Sequence, residues 1–402
     1  MDNNIIYKLK IFCLCLFVFS LGFEHWDPFG VKNIFTVTKF SGFMYAVFSL
    51  NDLKKNFYIS KQNRLLVYSG FSLWFCITIR SFLDTGINGG NMYLSLGFFQ
   101  VIILFWLIFN DVQNNPKIRY LIFLFLIFGM ILIAALLSLG IGIQDMRGEK
   151  VADIDSARLY FMGMNPNRMG DLAAMAVLLV FSLIFSKTRE SKIIYYLLII
   201  SIPSLLSIIG FSGSRGSFVV VFLGLSLFFL LRKSTKLQKL MFLFIGTVAA
   251  LLIMSFMKNF EILQGRLEST YEGGDVGGRL EIWRSVLSVI QDSPFLGTGI
   301  SSYRMNMLQI YGEEKDPHNL FLYVWVVGGL VSLSLLLTFY IKSFKNALAN
   351  LKINGDSTNI MVFIAVVFLV SKTGGVIESK MIWTMLASIT PIINIKNKSL
   401  KS

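Results

Sequence analysis

Long apolar runs recur from one end of this 402-residue chain to the other, and they limit what it can fold into. The runs lie at about 5–23, 34–50, 65–82, 92–109, 120–143, 169–185, 193–211, 217–231, 240–257, 319–341, 358–371 and 381–395. Most are long enough to cross a hydrocarbon core ~30 Å thick. Water is absent there, so each segment must satisfy its own backbone N–H and C=O groups, and helices do this. The expected fold is therefore all-α: a single integral membrane domain over 1–402 with about twelve transmembrane helices. Composition agrees, with 55% hydrophobic and 15% charged residues against ~25% charged in soluble domains.

The net charge of +14 points to topology rather than to nucleic acid. Lys and Arg gather in short connections, such as Lys54, Lys55, Lys61 and Arg64, or Arg232, Lys233, Lys236 and Lys239. These alternate with less basic connections, as the positive-inside rule requires. Twelve spans then place both termini in the cytoplasm. No small-residue cleavage site follows the first apolar run, so it reads as a retained helix. Cys13, Cys15 and Cys76 all lie within apolar runs, which argues against disulfides and against a metal site. No metal-ligand spacing, Walker loop or dinucleotide fingerprint is present, so neither a metal nor a cofactor is expected.

The outward connections hold the candidate chemistry. Three stand out: 144–168, the tight 212–216, and 258–318, a long polar loop expected to carry one short amphipathic helix. Arg215 lies in Gly213-Ser214-Arg215-Gly216-Ser217 between two apolar runs. An arginine at that depth is costly and tends to face a partner. The flanking glycines admit close approach to the backbone, and the next helix start offers N–H groups to an anion. Against this, a turn arginine can simply snorkel to the interface. Arg279 and Arg284 fall on the expected amphipathic helix, where a solvated basic face is the plainer reading. Gly297-Thr298-Gly299 reads as a flexible turn, and Gly328-Gly329 as a site of close helix packing. His318, beside Asn319, stands where the long loop re-enters the membrane. It is either a proton acceptor with a pKa near neutrality or a local helix-start residue. Arg158, Asn165-Pro166-Asn167-Arg168, Glu378 and Lys380 are weaker candidates, and His25 stands without clustered partners.

Together these segments resemble the O-antigen ligase and O-antigen polymerase family of bacterial envelope glycosyltransferases. The resemblance rests on Ser212-Gly213-Ser214-Arg215-Gly216-Ser217, Arg279-Leu280-Glu281-Ile282-Trp283-Arg284, Asp292–Gly299 and Pro317-His318-Asn319 with Gly328-Gly329, and covers roughly 160–340. It implies an inner-membrane enzyme that moves a glycan from undecaprenyl pyrophosphate to an acceptor hydroxyl at the periplasmic face, without metal and with inversion. By the resemblance, Arg215 and Arg279 hold the pyrophosphate and His318 activates the acceptor; Arg284, Arg158 and Asn319 are further candidates for contacting substrate. The acceptor is a lipid-linked repeat unit in a polymerase and lipid A–core in a ligase. The abundance of Phe, Ile, Asn and Lys leans towards a polymerase. Beyond the bilayer, a chain-length regulator and a flippase are the expected partners. A lipid-linked glycan transporter is the competing class, but the near absence of charge in mid-span speaks against it.

Overall fold

The computed structural model describes residues 3–27, 36–144, 160–186, 191–232, 235–240, 255, 279–374 and 377–393. The described chain is a helical bundle. In order, its helices are α1 (Asn3–Phe19), α2 (Val37–Ser49), α3 (Leu53–Asn56), α4 (Arg64–Thr85), α5 (Gly89–Asn114), α6 (Lys117–Ser138), α7 (Pro166–Ile184), α8 (Lys192–Ser212) and α9 (Arg215–Leu231). Then come α10 (Arg279–Asp292), α11 (Ile300–Tyr311), α12 (Leu320–Asn354), α13 (Thr358–Val370) and α14 (Lys380–Ile389). A two-stranded antiparallel pair, Ile143–Gln144 with Tyr160–Phe161, brackets the 145–159 stretch.

Among the described residues, seven helical stretches are long and apolar enough to cross a membrane: Asn4–Phe23, α4, α5, α6, α7, α8 and α12. The apolar helices α9, α13 and α14 are shorter. The run expected at 240–257 lies almost wholly outside the described residues. Where 258–318 is described, it contains two helices, α10 and α11, rather than the one expected.

Turn chemistry sets the helix ends. Asn88 accepts from the Asn91 N–H and opens α5. Asn165 accepts from the Asn167 N–H, with Pro166 at the first position of α7. Gly86 and Gly213, both at positive φ, close α4 and α8. α7 is buried on nearly every face and packs against α6, α8, α9 and α13. Lipid explains the bulky exposed side chains on the outer helices, among them Phe12, Phe43, Phe75, Ile200 and Phe222.

Alternating helix direction gives the bundle two distinct polar ends. At one, Lys10 reaches Asp111 at 2.7 Å and Asn56 at 2.8 Å, Arg119 reaches Asn359 at 2.8 Å, and Arg232 donates to the Phe185 carbonyl. The other end gathers the close of α1 and the starts of α5, α7, α9 and α12, together with α10, α11 and the connection after α13. The candidate site lies there.

The two glycine motifs turn out to form one unit. α12 breaks at Gly329, whose φ is 69° and ψ −173°. An unbroken helix would bond Leu330 N–H to Val326 and Val331 N–H to Val327. Instead Val326 and Val327 accept from the Thr298 and Gly299 N–H groups at 2.8 and 2.9 Å. In return Leu330 and Val331 donate to the Pro294 and Phe295 carbonyls at 3.0 and 3.5 Å. The 294–299 segment thus replaces the missing turn partners, which is how irregular backbone is tolerated at membrane depth. Side chains reinforce it, as Arg80 Nε donates to the Gly297 carbonyl at 2.7 Å and Trp325 Nε1 to Pro294 at 3.1 Å. Gly297-Thr298-Gly299 is accordingly a held strap rather than a flexible turn. Gly329 receives that strap, while Gly328 also packs against the neighbouring helix as expected, since a Cβ there would lie 2.9 Å from Ile77 Cγ1 of α4.

Candidate active site

Arg215 is the first residue of α9, and Ser214 is its N-cap position. The local glycines serve packing. A Cβ on Gly216 would collide with the Lys372 side chain. One on Gly170 of α7 would lie 2.6 Å from Ser212 Oγ and 3.0 Å from Ser217 Oγ. Room made by these glycines is therefore filled by the protein's own side chains.

Below Arg215 lies a buried polar knot built on Asp171 of α7. Asp171 Oδ1 accepts from Ser217 Oγ at 2.6 Å and from Lys372 Nζ at 2.5 Å, and its Oδ2 accepts from Thr373 Oγ1 at 2.7 Å. One carboxylate thereby ties α7, α9 and the connection after α13. A buried lysine–aspartate pair is tolerable only with such added hydrogen bonds.

Arg279 begins α10. Burial lowers its pKa, Arg215's charge lowers it further, and Asp171 opposes both, so the three groups share one electrostatic neighbourhood. The amphipathic helix forms as expected, burying Ile282, Val286, Val289 and Ile290. On the next turn Trp283 donates Nε1 to the Pro317 carbonyl at 2.8 Å, which joins α10 to the loop carrying His318.

His318 does not open the helix. It sits two residues before Leu320, the first helical residue, in a left-handed conformation with φ at 51°. Its N–H donates to Asp316 Oδ1 at 2.6 Å, and its Nδ1 lies 4.0 Å from the same oxygen. Asn319 is the cap, accepting from the Phe321 and Leu322 N–H groups at 3.0 and 3.2 Å. Gly374 meets this turn closely, since a Cβ there would stand 2.7 Å from both Asp316 Oδ1 and His318 Nδ1. A chain of contacts, the site's circuit, runs from Ser217 beside Arg215 to Asp171, Lys372 to Gly374, the Asp316–His318 turn and Trp283, with Arg279 one turn before Trp283 on α10 and within the electrostatic reach of Arg215.

Arg284 is exposed on α10, about 140° round the helix from Arg279, and stands outside this circuit. Arg158 lies outside the described residues.

Beside the circuit opens a cavity of about 380 Å³ whose lining includes Tyr93, Tyr303, Arg304, Asn319, Tyr323 and Glu378. Glu24, His25, Arg168 and Lys380 form one of its walls. Glu24 receives Arg168 at 3.2 Å and Lys380 at 3.1 Å. Burial alone would raise its carboxyl pKa, but Lys380, Arg168 and His25 hold it at about 2. That cluster locks the end of α1 to α7 and α14.

Asp171, Lys372, Glu24 and the place of Glu378 in the cavity escape the sequence reading. The available signal was a charged residue at the very edge of an apolar run, where burial of charge calls for a partner. Which charges would meet was not written in any local spacing.

Residues 202–337 match the family model described as O-antigen ligase. The match includes Arg215, Arg279, Arg284 and His318 and much of the stretch that carries the resemblance. No curated protein matches the chain.

Proposed function

We propose, for a chain whose residues 202–337 match the O-antigen ligase family model, that this bundle end transfers a glycan from undecaprenyl pyrophosphate to an acceptor hydroxyl. The observation that supports it is the circuit joining Arg215, Arg279 and the His318 turn around Asp171 and Lys372. Arg215, Arg279 and Lys372 outnumber the carboxylates of Asp171 and Asp316, which leaves net positive charge for a pyrophosphate. In the reaction, the acceptor oxygen attacks the anomeric carbon as its proton passes to the His318 imidazole. The bond from that carbon to the pyrophosphate oxygen breaks, and undecaprenyl pyrophosphate leaves with the electron pair. Attack from the opposite face inverts the centre, and no metal takes part.

Negative charge grows on the departing pyrophosphate, so two guanidiniums held in place stabilise the transition state more than the ground state. The Asp171–Lys372 pair keeps the floor of the site fixed without cancelling those charges. We place the site at the periplasmic face of the inner membrane, with both termini in the cytoplasm and twelve spans.

Of the two reactions this donor serves, we propose polymerisation of repeat units, on the compositional lean noted above. The match of residues 202–337 to the O-antigen ligase family model favours ligation to lipid A–core as the second reading. A deletion strain separates them. Core carrying a single repeat unit establishes polymerisation, whereas bare core with accumulated lipid-linked polymer establishes ligation. Unchanged lipopolysaccharide refutes both. Plasmid copies carrying Arg215→Ala, Arg279→Ala or His318→Ala are expected to reach the membrane and fail to restore product.

A further inference from the structure

We infer that the 380 Å³ cavity beside the circuit binds the acceptor saccharide, with Glu378 as the hydrogen-bond acceptor for one of its hydroxyls. This rests on the glycan-transfer reading and gives it a second substrate site.

Position comes first. The cavity is lined by Asp316 and Asn319, which flank His318, and by Thr373, which donates to Asp171. Arg215 and Arg279 are not among its lining residues. His318 does not line it either, so an acceptor held here would lie beside the Asp316–Asn319 turn and reach the imidazole past Asp316 and Asn319, with the arginine pair beyond the Thr373–Gly374 connection. That is the order an in-line displacement needs.

Lining chemistry comes second. Tyr93, Tyr303 and Tyr323 supply ring faces and hydroxyls, and Lys39, Arg168, Arg304, Lys315 and Lys380 supply donors. Aromatic faces with a few directed polar groups are what a hydroxyl-rich, partly apolar ring requires. The size falls within the ~300–1,000 Å³ range of small-ligand pockets.

Glu378 provides the third observation. Its Oε1 is buried and accepts no hydrogen bond among the described residues. Such an atom costs free energy unless something arrives to pair with it. The structure makes room for this carboxyl, since a Cβ on Gly97 of α5 would run into Glu378 Oε2. Burial lifts the Glu378 carboxyl to about 7, against the opposing charges of Lys380, Arg168, Arg304 and Lys39. Near neutrality it can therefore donate or accept.

The test uses full-length protein in nanodiscs and a water-soluble single repeat unit released from the strain's own polysaccharide. Binding is followed by saturation-transfer NMR, which needs no donor. Wild type and Arg215→Ala should bind alike, while Glu378→Met should weaken binding at least ~10-fold, since the Met thioether is only a weak acceptor and carries no proton to donate. Tyr93→Ala, at an exposed position on the cavity wall, should weaken it too and serves should Glu378→Met fail to fold. No saccharide binding by wild type, or binding untouched by these substitutions, overturns the acceptor site. Glycan transfer in the complementation strains would survive that result, whereas binding without any transfer would refute the reaction and keep the site.

Discussion

Arg215 shows how far a single residue could be read. Its cost at the membrane edge is visible in the sequence, but the companions that make the position useful are 44 residues before it and 157 after it, in Asp171 and Lys372. Helical periodicity gives no hint of contacts at such separations. Two substitutions probe the circuit at this scale. Arg215→Lys keeps the charge and loses the planar fork that pairs two phosphate oxygens at once. Transfer measured with purified protein and native donor should drop ~10²–10³-fold, the usual loss for one transition-state donor. Full activity would reduce Arg215 to a point charge. Gly374→Ala places a Cβ 2.7 Å from both Asp316 Oδ1 and His318 Nδ1. The turn must shift, and a misplaced base should cost ~10²-fold in kcat with little change in donor KM. A fall in donor affinity instead would tie Gly374 to the arginine side.

Elements were legible to different degrees, for physical reasons. Apolar length alone marks α4 to α8 in the sequence, because lipid and backbone pairing demand it. The amphipathic spacing of α10 is equally plain, and its buried positions follow it. α12 was legible as a helix but not as a broken one. Two adjacent glycines fit close helix packing as well as a break. The structure has both: Gly328 packs against Ile77 of α4, and the exchange of hydrogen bonds with Pro294, Phe295, Thr298 and Gly299 adds the break. Gly329→Ala should therefore be far worse than a glycine change in an ordinary helix. It puts a side chain at positive φ and drives its Cβ 2.5 Å from Leu296 N, a combination of strain and overpacking worth ~3 kcal/mol or more. Thermal unfolding in detergent should show a clear loss of stability. Gly312→Ala is the control, sharing positive φ at a helix end with nothing within 4 Å. Equal behaviour of the two variants would mean that the strap does not depend on close backbone approach.

At the scale of the whole molecule, the described helices alternate so that one end collects the circuit and cavity while the other collects Lys10, Arg119 and Arg232. α9 leaves at this second end, whereas α10 begins beside Arg215. We propose a span over 240–257, a stretch almost wholly outside the described residues, to carry the chain between those two ends. Positive-inside reasoning then sends the cavity end outward, because the short connections at the other end are the basic ones. Impermeant maleimide decides the orientation. In a background with Cys13, Cys15 and Cys76 replaced by Ser, Glu314→Cys and Lys54→Cys each introduce one thiol at an exposed position. Glu314 lines the cavity mouth, and Lys54 lies in α3 at the opposite end. Intact spheroplasts should be labelled at Cys in place of Glu314 and not in place of Lys54, which should react only after permeabilisation. The reverse pattern would put the cavity in the cytoplasm. A lipid-linked donor already carried across the membrane would then be out of reach, and the transfer reaction would have to be abandoned along with the orientation.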